Sequence, residues 1–99
     1  MKILALEHEL AGATPEKFQQ LARAEAARAW ELYQQGSLRE LYFRADRREA
    51  VLVLESEDVE SARQVLETLP LVKHGLITFE LIPLVAYPGF ARLFQGLST

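Results

Sequence analysis

Cysteine is absent from these 99 residues, which excludes disulfides and thiolate metal sites. Histidine is nearly so. His8 and His74 are too few for a histidine-rich metal centre, leaving only a mixed histidine–carboxylate set to consider. No uninterrupted apolar run approaches the roughly 18 residues a membrane-spanning helix needs. The opening MKILALEHEL meets charge too early for the apolar stretch of a secretory signal. The eleven basic residues form no basic run and the net charge is −3, so the electrostatic footprint of a nucleic-acid binder is missing. These absences predict a cytoplasmic protein without metal, cofactor, membrane or nucleic-acid partner.

What is present is ordinary for a globular domain: 49% apolar and 25% charged residues, enough for one domain over 1–99 with a small core. KILALEHE at 2–9 reads as a strand. Thr14–Pro15 is a helix start, a capping hydroxyl followed by proline at the first helical position. Phe18, Leu21, Ala22, Ala26, Ala29, Leu32 and Tyr33 then recur at helical spacing until Gly36. LRELYFRA at 38–45 alternates, Leu41 and Phe43 against Glu40, Tyr42 and Arg44. A polar link, Asp46–Glu49, leads into AVLVLE at 50–55, apolar on both faces. Ser56 or Asp58 can cap a second helix with the stripe Val59, Ala62, Val65, Leu66 and Leu69, closed by Pro70. LITFELI follows, with Ile77, Phe79 and Leu81 on one face. The tail AYPGFARLFQGLST carries turn residues and exposed aromatics.

The order strand, helix, strand, strand, helix, strand predicts an α+β, ferredoxin-like βαββαβ fold: a four-stranded antiparallel sheet with two helices on one face. Two helices cover only one face. Residues 51–54 are apolar on both, and strand 4 offers Leu76 and Ile82 opposite Phe79. A second copy packed sheet to sheet supplies the missing layer. The expected partner is therefore the chain itself, as a homodimer or larger homo-oligomer.

YQQGSLRELYFR, EDVESARQVLETLPLVKHG and FELIPLVAYPG together resemble the muconolactone isomerase family, within the dimeric α+β barrel superfamily. The resemblance covers most of residues 20–90, with Leu69–Pro70–Leu71 its most recognisable piece. It implies a ferredoxin-like protomer, pairing of sheets into a barrel, and a reaction that moves a proton within an unsaturated lactone. It aligns Glu25 and Arg39 with a family glutamate and arginine. Glu40, Tyr42 and Tyr87 stand where the isomerase carries histidine, tryptophan and histidine. The candidate catalytic residues are thus Glu25, Arg39 and Tyr42, acting on a small lactone or organic acid. Two alternatives remain: a cofactor-independent or haem-associated monooxygenase of the same superfamily, and a non-catalytic oligomeric binding module.

Residue by residue, Glu25 lies on the inward stripe, four residues from Leu21 and from Ala29. It is either a pocket carboxylate or a stripe-edge glutamate that pairs with Arg28 or reaches water. Arg39 shares strand parity with Leu41 and Phe43 and is expected to face the helices, where it either grips a substrate carboxylate in bidentate fashion, pairs with Glu25 or Glu31, or snorkels out at the strand start. His8 shares parity with Leu4 and Leu6 and is expected on that face too, but at the other end of the sheet from Arg39. Tyr42, with Glu40 and Arg44, either lines a cavity inside the barrel or satisfies its own neighbours. Trp30 stands opposite the inward stripe and suggests a contact between chains.

Overall fold

A computed structural model describes residues 1–96 of the chain; the last three residues of the aromatic tail lie outside it. The elements are β1 (Lys2–Glu9), α1 (Pro15–Gln35), β2 (Leu38–Phe43), β3 (Ala50–Glu55), α2 (Val59–Leu66), the short α3 (Pro70–Lys73) and β4 (Ile77–Leu84), then a 3-10 turn over Gly89–Phe94. The sheet is antiparallel in the order β2-β3-β1-β4. This is the ferredoxin-like arrangement the element order predicts.

Local chemistry fixes the ends. The Thr14 hydroxyl accepts from the Lys17 N–H at 3.2 Å, with Pro15 next in line, as a capped N-terminus requires. Gly36 closes α1 at φ 84°, its N–H donating to the Tyr33 carbonyl while Ser37 N–H donates to Leu32. Only glycine takes that left-handed geometry cheaply. Of the two candidate caps for α2, Asp58 is used, accepting from Ser61 N–H at 2.7 Å. Pro70 opens α3 after α2 has already ended at Leu66.

The core lies between sheet and helices. Ile3, Ala5, Leu38, Leu52 and Leu54 meet Leu32 of α1 and Ala62 and Leu66 of α2. Each fully buried Leu or Ile stabilises the fold by about 1.5–3 kcal/mol. The other sheet face carries Leu4, Leu6, Val51, Val53 and Ile82, all only half-buried in the single chain.

Three expectations change. In β1 the inward set is Ile3, Ala5 and Glu7, so His8 faces the open side, where its Nε2 lies 3.3 Å from Glu80. KILALE is apolar on both parities, so parity alone did not choose the face. Arg39 does not continue the regular alternation with Leu41: a register shift between Leu38 and Glu40 makes it the extra residue of a β-bulge, and its Nε donates to the Gly36 carbonyl at the end of α1. Leu76 is buried ahead of β4 rather than on the open face, because the chain turns at Gly75 (φ 72°) and Leu76 N–H donates to Leu71.

The chain is elongated, 65 × 29 × 20 Å with a radius of gyration of 17.1 Å, against about 13 Å for a compact domain of this length. Val85, Tyr87, Phe90, Leu93 and Phe94 at the C-terminal end are all strongly exposed.

Candidate functional site

Four residues form one row across the helix-facing side of the sheet. Phe43 of β2 pairs with Ala50 of β3, and Glu7 of β1 pairs with Phe79 of β4. The β1–β3 register, Leu6 opposite Val51, sets Glu7 beside Ala50. Two carboxylates meet over this row. Glu7, only 8% exposed, accepts from the Ala50 N–H through Oε1 at 3.1 Å. Glu25, half-buried at mid-α1, accepts from the Leu71 N–H at the start of α3, at 2.9 Å. Among the described residues the second oxygen of each makes no hydrogen bond.

Arg28 points toward the link between α2 and α3, its Nε donating to the Thr68 hydroxyl at 2.9 Å and its Nη1 lying 3.4 Å from Glu31. Arg28 is therefore not the partner of Glu25. The opposite flank of α1, with Ala22, Ala26 and Tyr33, lies toward β2. There Leu41 and Phe43 remain exposed although they face the helices. Ala22 and Ala26 are exposed on this flank, while the one hydrogen bond of Glu25 among the described residues turns it toward Leu71 of α3. Two shallow depressions, of about 110 Å³ beside Leu66, Phe79 and Leu81 and about 340 Å³ beside Lys17, Leu21 and His74, lie elsewhere.

Burial, the larger effect, pushes the Glu7 carboxyl above the ordinary value of 4.5; Ala50 N–H opposes it, while Glu49 and Glu9 add to it. Glu25 is raised in the same way: burial dominates, Leu71 N–H opposes, and the Glu7 charge reinforces. Both shifts are upward, so the folded chain holds protons more tightly than the unfolded one. The resulting stability is fully present below the unfolded value and is lost as pH rises through the raised folded values. Glu7→Gln keeps an acceptor for Ala50 N–H and removes the charge. We expect its urea midpoint to exceed that of the parent at pH 7 and the difference to shrink as pH falls toward 4.5. Equal midpoints at both pH values would contradict a charged, buried Glu7.

The three residues singled out in the sequence are not together in one chain. Arg39 Nε donates to the Gly36 carbonyl at 2.6 Å, and its charge acts on Glu55, which pairs with Lys2. From Glu7 to Lys2 is five residues of strand, roughly 17 Å. Tyr42 is on the open face, its hydroxyl donating to Glu40 at 2.7 Å, a bond that raises its pKa. Glu7 was not singled out; the signal available was a carboxylate alternating with Ile3 and Ala5. Among the described residues no group of three His, Cys, Asp or Glu side chains is placed to hold a metal ion.

The family model for muconolactone delta-isomerase matches residues 6–89. The chain belongs to this family. A crystal structure of muconolactone isomerase superposes with a TM-score of 0.72 at 26% identity, covering 89% of this chain and 92% of that one. The 5-chloro-2-hydroxyhydroquinone dehydrochlorinase of Burkholderia phenoliruptrix, solved with 2,5-dihydroxybenzoquinone, gives a TM-score of 0.68 at 15% identity over 90% and 98% of the two chains. At that identity it shows the shared fold alone. No curated protein matches. The family match spans Glu7, Glu25, Arg39, Tyr42 and Leu71.

Proposed function

We propose that this member of the muconolactone isomerase family catalyses acid–base proton transfer on a small lactone or organic acid, with Glu25 as the proton shuttle. The observation that carries this is the state of Glu25. Burial and the Glu7 charge raise its pKa, Leu71 N–H fixes one oxygen, and the other is left for a substrate. A carboxylate held this way can take a proton from carbon beside a carbonyl and return it elsewhere on the same conjugated system. The product is an isomer, so no co-reactant is consumed. Purified protein offered muconolactone and related unsaturated lactones should change their ultraviolet absorbance; no change with any of them would leave the isomerase reading without support.

The catalytic unit in this reading is a homo-oligomer built on sheet-to-sheet packing of the open face into a barrel. Tyr42 and Glu40 then line the space between sheets. Arg39 enters a site only if a second chain brings it there. Trp30, 58% exposed and stacked on Tyr33 at 5.8 Å, supplies a further contact between chains. Trp30→Glu should shrink the assembly in light scattering or increase hydrophobic-dye binding; neither change would mean Trp30 rests on its own surface.

A non-catalytic oligomeric module is the second reading, and one observation favours it: the bond to Leu71 N–H is by itself a structural reason for an acceptor at position 25.

A further inference from the structure

We propose that the C-terminal arm, residues 85–94, seats its aromatic side chains on the exposed apolar flank between α1 and β2 of a second copy of this chain. The contact is separate from the proton-transfer chemistry and does not depend on it.

The arm is apolar and already shaped, yet it stands in water. Val85 is 90% exposed, Leu93 73%, and Tyr87, Phe90 and Phe94 each close to two-thirds. Its one charged residue is Arg92. The Tyr87 ring lies edge-on to Phe90 at 5.1 Å. Gly89 is buried beneath it, and a Cβ there would strike the Tyr87 ring. A knob that is ordered before it docks loses less freedom on binding than a loose segment would.

The arm does not turn back toward its own flank. The chain is 65 Å long, whereas the 21 residues of α1 span roughly 32 Å, so the arm carries it roughly 30 Å past the body. It leaves from β4, at the opposite edge of the sheet from β2. It also leaves at the opposite end: Leu84 pairs with Lys2, which pairs with Glu55, while Phe43 pairs with Ala50 at the other end of β3. Donor and acceptor surfaces are therefore diagonally apart on one chain, and two copies bring them together.

The flank is the part of the body that most needs a cover. Leu41 and Phe43 face the helices through their pairing with Leu52 and Ala50, yet they are 42% and 62% exposed. Tyr33 and Trp30 stack on each other at 5.8 Å beside them, both about half exposed. The short side chains of Ala22 and Ala26 leave β2 uncovered. The open sheet face, by contrast, is already half-buried. A covered aromatic ring hides roughly 150–250 Å², so the three exposed rings of the arm offer about 300–500 Å². Each copy gives one arm and receives another, which hides about twice that area per copy. This reaches the ~800 Å² per partner of a stable interface.

The absence of cysteine makes the test clean. Phe90→Cys protein is refolded together with Tyr33→Cys, Leu41→Cys or Phe43→Cys protein at low micromolar concentration, oxidised, and the mixed pairs identified by mass. A disulfide forms only where Cβ atoms approach within about 4.5 Å. At least one flank position should cross-link to position 90 in high yield, and Val53→Cys on the open face should not. The double variant Leu41→Cys/Phe90→Cys should give linked chains rather than an internally closed monomer. Phe90→Asp should weaken self-association ~100-fold or more while the far-ultraviolet spectrum is unchanged. Internal closure would mean the arm folds back, and preferential capture by Val53→Cys would place it on the open face. Either result, or no cross-link at all three flank positions, would overturn the proposal, as would a Phe90→Asp protein that keeps the parent's assembly.

Discussion

Glu25→Gln is expected to lower the turnover of an unsaturated lactone by ~10²–10⁴-fold, the usual loss when a general base is removed. The amide keeps a carbonyl oxygen to accept from Leu71 N–H, so the start of α3 stays anchored. It also ends the charge repulsion with Glu7, so the fold should be at least as stable as the parent at neutral pH. Circular dichroism and the size of the assembly should be unchanged while the rate collapses. Glu25→Leu is the informative companion. It fills similar space but strips the acceptor from a part-buried N–H, which costs about 1–3 kcal/mol. A protein in which Glu25→Leu is destabilised and Glu25→Gln retains full activity would mean Glu25 serves α3 alone. Activity in the parent should rise with pH through the raised Glu25 value, because only the ionised carboxylate removes a proton.

Val53→Glu should break the assembly. Val53 is central on the open face, between Leu4 of β1 and Glu40 of β2. In a sheet-to-sheet dimer the new carboxylate is buried without a partner. The effective penalty is several kcal/mol per ion, so the dimer constant should weaken by ~10³-fold or more. In the single chain the same side chain points to solvent, so the protomer still folds. Sedimentation should show the parent as a dimer or a multiple of one and the variant as a monomer with the parent's far-ultraviolet spectrum. A parent that is monomeric at micromolar concentration would remove the barrel, and a variant that keeps the parent's size would place the interface elsewhere.

The fold was largely legible because each element carries its own signal: Thr14–Pro15 and Gly36 bracket α1, Asp58 caps α2, and the strand order follows from two helices sharing one face. The face of β1 was not legible. Leu4 and Leu6 are as apolar as Ile3 and Ala5, although one pair meets helices and the other lies on the open face. The bulge at Arg39 was hidden for a related reason: one extra residue reverses parity, and nothing in SLRE announces it. Of the site, Glu25 was visible as a charged residue on an apolar stripe. Its partners were not. Leu71 N–H is 46 residues away, and Glu7 meets Ala50 only through strand pairing. Tyr42 and Arg39 illustrate the converse: chemically apt residues that the chain alone sends to the open face and to the far end of the sheet.

The most direct test of Glu25 as a proton shuttle is hydrogen exchange at the substrate, followed by proton magnetic resonance in deuterated buffer with an unsaturated lactone and catalytic amounts of protein. Exchange reports proton abstraction even where the equilibrium hides net conversion. The parent should speed loss of the signal from the carbon beside the carbonyl, and the Glu25→Gln protein should leave it at the buffer rate. Equal exchange by the two proteins would contradict the account.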